Sequence, residues 1–87
     1  MKELITTITH QVGLHARPAA LFVKTSSKYS STVSVSYDGK TKNAKSMLSV
    51  LSMGIGANAE ITIQAEGEDE EEVINALDEL IKENFGE

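Results

Sequence analysis

Few side chains in these 87 residues could carry group-transfer chemistry: two histidines, His10 and His15, the single arginine, Arg17, and a serine, Ser46. His15 and Arg17 stand two apart in Gly13-Leu14-His15-Ala16-Arg17-Pro18, directly before a predicted helix, so the imidazole falls at the N-cap. The amide N–H groups of a helix's first turn, here Ala16 and Arg17, can hydrogen-bond an anion. The positive end of the helix dipole disfavours an imidazolium and favours the neutral, nucleophilic ring. The guanidinium of Arg17 can fork onto the same oxygens. Such a constellation would hold a phosphoryl group by charge without locking it in place. The commoner meaning of a histidine–arginine pair at this spacing is a plain helix cap beside a solvated cation, and composition does not overturn it. His10 lacks a comparable setting and is expected on a surface loop. Ser46 precedes a second apolar helix as an ordinary N-cap. A phosphate there would add about −1.5 to −2 charge at a helix amino end.

The elements that position these residues follow from periodicity. Leu4, Ile5 and Ile8 among threonines predict a strand over 2–8, and Ala16 to about Ser27 a helix with Pro18 in its first turn, where a missing N–H costs nothing. Ala19, Phe22, Val23 and Ser26 share its inner face. Residues 32–37 alternate with period two, and Asp38-Gly39 predicts a tight turn into a return strand over 40–43. A short helix over 47–53 ends at Gly54, with Gly56 and Asn58 suited to left-handed backbone. Another alternating strand covers 60–65. Asp69 caps a last helix reaching about Asn84, with Val73, Ala76, Leu77, Leu80 and Ile81 as its buried stripe. The order βαββαβα implies one four-stranded antiparallel sheet with three helices on one face and the other face solvated: an open-faced α/β sandwich.

So short a chain reads as one domain, 1–87, burying about 60–65% of its extended surface. That leaves no volume for a deep substrate cavity and favours shallow surface chemistry. Without cysteine there is no disulfide, thiolate metal site or cysteine nucleophile. The first residues lack the apolar run of a signal peptide, and no stretch is long enough to insert in a membrane, so a cytoplasmic protein is expected. Net charge is −5, unevenly spread. Residues 1–58 carry Lys2, Arg17, Lys24, Lys28, Lys40, Lys42 and Lys45 against Glu3 and Asp38, for +5, whereas residues 59–87 carry Lys82 against eleven acidic side chains, for −10. This balance suits an acidic protein partner better than nucleic acid. No metal cluster, other cofactor motif, P-loop or dinucleotide glycine pattern is evident. A helix as short as 47–53 cannot bury all its apolar residues; Met47, Leu48 and Leu51 are expected outside as a docking patch, with Val50 and Met53 inside.

Three segments carry a resemblance. Gly13-Leu14-His15-Ala16-Arg17-Pro18-Ala19-Ala20, Lys45-Ser46 with its apolar helix, and Ala65-Glu66-Gly67-Glu68-Asp69-Glu70 closely resemble the HPr family, the histidine-containing phosphocarriers of the phosphoenolpyruvate-dependent sugar phosphotransferase system. The resemblance spans essentially the whole chain and reverses the plain readings of His15 and Ser46. It implies that His15 accepts phosphate on Nδ1 from enzyme I and passes it to enzyme IIA domains, assisted by Arg17. The backbone of Ala16 and Arg17 would cradle the phosphate. Ala20, Lys24, Lys45, Met47, Leu48 and Leu51 would meet the partners. Ser46 resembles the regulatory serine of Gram-positive members, phosphorylated by HPr kinase/phosphorylase to make a corepressor for a catabolite-control regulator. Ser49 and Leu51 depart from the glycine and methionine frequent in those relatives, and Val12 from a polar residue. The first two bear on partner affinity and corepressor binding rather than on the carrier role. The resemblance implies a covalent carrier, not an enzyme, and a monomer is expected because both partners need the same face. A mainly phospho-Ser46 signalling adaptor is the competing reading. An RNA-binding sandwich is disfavoured by the acidic balance and by an aromatic content of 5%.

Overall fold

Alternation decides which way each strand faces. Val33 and Val35 point inward while Ser34 and Ser36 point out, and Ile61, Ile63 and Ala65 are buried between Thr62 and Gln64. The computed structural model, which describes residues 1–10 and 13–86, arranges these segments as β1 (Lys2–Thr7), α1 (Ala16–Ser27), β2 (Thr32–Tyr37), β3 (Lys40–Asn43), α2 (Met47–Ser52), β4 (Glu60–Glu66) and α3 (Glu70–Lys82). A short 3-10 turn, Asn84–Gly86, follows. The sheet is fully antiparallel in the order β1-β4-β2-β3. Register sets Leu4 opposite Ile63 and Val35 on its other side, a continuous apolar row across the sheet. The three helices cover that row, forming the open-faced sandwich expected from the pattern. The outer face is mainly polar, with Ile5 exposed on it: Gln64 donates to Glu3 at 2.8 Å, and the Ser36 and Thr41 hydroxyls meet at 2.8 Å.

Local chemistry explains the boundaries. The two-residue turn Asp38-Gly39 has φ of 52° and 79°, the left-handed pair a tight hairpin demands. In α1 the Ala19 N–H donates to the His15 carbonyl at 2.8 Å, so the helix opens at its expected residue with Pro18 harmlessly in the first turn. The inward face of α1 is Pro18, Ala19, Phe22 and Ser26; Ser26 is satisfied by donating to the Phe22 carbonyl at 2.9 Å. The stripe of α3 is Val73, Ile74, Leu77 and Ile81, with Ala76 and Leu80 half-buried beside it.

Four expectations need correction. α2 ends at Ser52, because Met53 is already its C-cap. Gly56 does not adopt left-handed backbone; Gly54 (φ 62°) and Asn58 (φ 65°) make the exit from α2. α3 stops at Lys82, since Asn84 and Phe85 take φ of 55° and 57°, which no α-helix continues. Asp69 stands at the N-cap position but makes no side-chain cap. Its carboxylate reaches instead to the segment after α1, accepting the Ser30 and Ser31 N–H groups at 2.9 Å each, the Ser30 hydroxyl at 3.3 Å and the Ser31 hydroxyl. The amino end of α3 is served by the next residue, Glu70, which accepts the Gly67 N–H at 3.1 Å and pairs with the Met1 ammonium at 3.1 Å.

The segment entering α1 is held by backbone. Leu14 donates its N–H to the Ile55 carbonyl at 2.9 Å, and Leu14 itself is buried. Gly13 has φ 70°, and a Cβ there would lie 2.5 Å from both the Ile55 oxygen and the Gly56 carbonyl carbon. Glycine is therefore required twice at this position, by conformation and by the approach of another backbone.

Two predictions follow from these contacts. Gly13→Ala combines a left-handed non-glycine residue with overpacking and should cost about 2–4 kcal/mol. Gly54→Ala, where φ is also positive but an added Cβ meets nothing within 4 Å, should cost only about 1–2 kcal/mol. Urea denaturation of both variants checks the difference, and equal losses would refute the close-approach argument. For Asp69, hydrogen bonds from the Ser31 hydroxyl first and the Ser30 N–H next hold the carboxyl at about 2, below its ordinary 3.8. A carboxyl depressed on folding contributes stability above its unfolded value and loses it as pH falls through the folded one. The urea midpoint of the parent should therefore exceed that of Asp69→Asn at pH 7 and converge on it between about pH 4 and 2. A gap unchanged at pH 2 would contradict the assignment.

Candidate functional site

His15 is set by what lies on either side of it. Leu14 is anchored inside, α1 begins at Ala16, and the imidazole between them is exposed. Its backbone is extended (φ −84°, ψ −173°), its carbonyl starts the helix, and its side chain makes no capping hydrogen bond. The ring is thus placed at the helix mouth without being used to close it. The first-turn amides that project from this end are those of Ala16 and Arg17, since Pro18 has none. Arg17 is exposed on the same turn, and Ala16, Ala20 and Lys24 follow at intervals of four along the exposed side of α1.

The same backbone contact that holds Leu14 brings the exit of α2 beside His15. A concavity of about 450 Å³ is lined by Leu14, His15 and Ala16 from one side and by Leu51, Gly54, Ile55 and Gly56 from the other. Two short segments some forty residues apart thus make one surface, with the imidazole at its edge. Next to it α2 presents an apolar patch. Leu48 is 81% and Leu51 41% exposed, whereas Val50 and Met53 are buried. Met47 is half-buried against the core, so the outward patch is chiefly the two leucines.

Ser46 opens α2. It is half-buried, accepts the Ser49 N–H on Oγ at 3.3 Å, and offers its carbonyl to Val50 N–H at 3.0 Å. Its neighbour Lys45 is also half-buried, and its ammonium donates to the Tyr29 carbonyl at 2.7 Å, just beyond α1. That charge already serves the carboxyl end of a helix, which the sequence did not signal. His10 overturns its surface-loop expectation: it is only 8% exposed, and its ring meets Phe85 nearly edge-on, 73° between planes and 6.0 Å between centroids. Its partner lies 75 residues away, beyond the reach of any local pattern. Val12 lies outside the described residues. Among those residues, no cluster of three or more histidine, cysteine or acidic side chains is placed to hold a metal.

Comparison with known proteins agrees with this geometry. Residues 2–83 match the family model described as the PTS HPr component phosphorylation site. HPr from Thermoanaerobacter tengcongensis is 50% identical, superimposing with a TM-score of 0.98 over 100% of this chain and 98% of its own. A dimer of HPr from that organism aligns over the full length of both chains at a TM-score of 0.81. The histidine-containing phosphocarrier protein of a mycoplasma is 39% identical, with a TM-score of 0.90 over 95% of this chain and 96% of its own. HPr from Bacillus anthracis is also 39% identical, at 0.88 over 92% and 95%. With a family match along nearly its whole length and relatives of this identity and coverage, the chain belongs to the HPr family of phosphotransferase-system phosphocarriers.

Proposed function

We infer that this chain carries phosphate on His15 between phospho-enzyme I and sugar-specific enzyme IIA domains. The observation that supports this most is an exposed imidazole at the mouth of a twelve-residue helix, with its side chain uncommitted to capping. In the proposed step the Nδ1 lone pair of the neutral ring attacks the phosphoryl phosphorus while Nε2 keeps its proton. The bond between phosphorus and its donor atom on enzyme I breaks as the new one forms; attack by an acceptor atom of enzyme IIA, with cleavage of the phosphorus–Nδ1 bond on His15, then delivers the group. Phosphoryl transfer asks mainly for positioning and charge compensation. The Ala16 and Arg17 amides and the Arg17 guanidinium are the groups suited to the three equatorial oxygens.

Leu48 and Leu51, with Ala20, Lys24 and Met47, form the proposed docking face for both partners. Lys45 belongs to it only if its ammonium leaves the Tyr29 carbonyl. A chain that uses one face for donor and acceptor in turn works as a monomer and as a covalent intermediate rather than an enzyme. Among the described residues no helix is long and apolar enough to cross a membrane, in keeping with a proposed cytoplasmic role. Ser46 is proposed as a regulatory phosphorylation site for HPr kinase/phosphorylase. A phosphate there would sit two residues before Leu48 and five before Leu51, adding charge at the amino end of the helix that bears the apolar patch. The same position supports the adaptor reading, in which phospho-Ser46 engages a catabolite-control regulator.

Incubation with enzyme I and phosphoenolpyruvate should place an acid-labile, base-stable phosphate on the parent and none on His15→Ala. Equal labelling of the two would rule out the carrier reading. Kinase and ATP should instead give an acid-stable phosphate mapped to Ser46. Leu48→Asp should raise the half-saturating concentration for enzyme I about tenfold, the scale of losing one well-packed contact. Its thermal midpoint should hardly move, because the side chain is exposed. An unchanged half-saturation would remove Leu48 from the docking face.

A further inference from the structure

The carboxyl end of the chain carries strain that the fold alone does not explain. Asn84 and Phe85 are consecutive non-glycine residues in left-handed backbone, φ 55° and 57°. Such conformations persist only where the surroundings over-determine them. Here the determining contact is burial: Phe85 is 3% exposed although it lies one residue from the last described position. The Gly86 N–H closes the turn onto the Glu83 carbonyl at 3.0 Å. The strained turn thereby presses an aromatic ring inward, and what it meets is His10.

From His10 the contacts run unbroken to His15. The His10 carbonyl accepts the Gly13 N–H at 3.0 Å. Gly13 lies flat against the backbone of Ile55 and Gly56, and Leu14 donates to the Ile55 carbonyl. Each link is a close packing contact or a hydrogen bond. We propose that Phe85 and His10 are positioning residues: the carboxyl-terminal turn braces the segment before α1 and so fixes where the His15 imidazole stands. This rests on the carrier reading of His15. It assigns to His10 and Phe85 a role in presentation, not contact with phosphate.

Three variants test it: Phe85→Leu, which keeps an apolar side chain but removes the ring, His10→Gln, and the double substitution. Single-turnover transfer from phospho-enzyme I is measured over a range of chain concentrations, together with amide NMR shifts and urea midpoints. Phe85→Leu and His10→Gln should each lower the saturating rate about five- to tenfold, as expected for a misplaced reacting group. Half-saturation should stay unchanged because the docking face is untouched. The Gly13 and Leu14 amide signals should move in both, and the double variant should lose no more than the worse single one. Loss confined to stability, with parental transfer rates in folded variants, overturns the proposal, as do additive losses or unmoved Gly13 and Leu14 signals. Should Phe85→Leu fail to fold, His10→Gln decides by the same readings. Failure of the parent itself to accept phosphate would overturn the carrier reading, and the positioning role with it; a labelled parent with equally fast variants overturns the positioning role alone.

Discussion

The site depends on one place where two backbones touch. Gly13 approaches Ile55 and Gly56 more closely than any side chain allows, and the Leu14 N–H is fastened to the Ile55 carbonyl at 2.9 Å. Exposed His15 and Leu51 lie within a few residues of that contact. Ahead of it His15 caps α1, which begins at Ala16; behind it α2, carrying Leu48 and Leu51, ends at Ser52 and turns at Gly54. Nearby, past the end of the strands, the Asn58 N–H donates to the Ile8 carbonyl at 2.7 Å and the Ile8 N–H donates to the Ala59 carbonyl at 2.8 Å. The two connections are therefore carried on the ends of β1 and β4, the pair with the longest continuous register. A surface assembled from loops gains the rigidity of the sheet beneath it.

The acidic and basic halves of the chain also separate in function. Residues 59–87 hold eleven acidic side chains, among them those of β4, α3 and the turn between them, and some of these hold structure. Asp69 ties the start of α3 to the turn after α1, and Glu70 ties it to Gly67 and the amino terminus. Both are held below the ordinary carboxylate range, Asp69 by the Ser31 hydroxyl and then the Ser30 N–H, Glu70 by the Gly67 N–H and then the amino-terminal ammonium. The basic residues Arg17 and Lys24 stay exposed on α1, on the element that presents His15. An acidic total thus coexists with a locally basic face, the combination that favours a negatively charged partner or group.

What was legible in the sequence was local. Alternation located β2 and β4, helical spacing located α1 with both boundaries, and Asp38-Gly39 marked its hairpin, because each signal is generated within a few residues of the feature it reports. The setting of His15 was legible for the same reason: the helix that follows it fixes the N-cap. What was not legible came from contacts between distant segments. Nothing near Asp69 distinguishes a helix cap from a carboxylate reaching Ser30 and Ser31, 38 to 39 residues earlier. His10 looks like a loop residue until Phe85 folds onto it. Each error came from assigning a polar side chain to its nearest local use when tertiary geometry offered a better-satisfied one.

A group that must be received and surrendered repeatedly imposes a demand opposite to that of a binding site. Tight enclosure would stabilise the phosphorylated form and slow its discharge, whereas a mobile imidazole would waste encounters on wrong orientations. The arrangement around His15 meets both constraints by separating them. Toward solvent, the described residues leave the imidazole exposed at a helix mouth on the edge of an open concavity, so in the proposed role the charge on a phosphoryl group would be met by amides and a guanidinium without being enclosed. Its environment toward the protein is closed, through buried Leu14, the Gly13 contact and the helix that starts at its own carbonyl. Precision is supplied from behind and exchange from the front. In the proposed carrier role, that division would let a small chain hold a reactive group in one place while two successive partners complete the site around it.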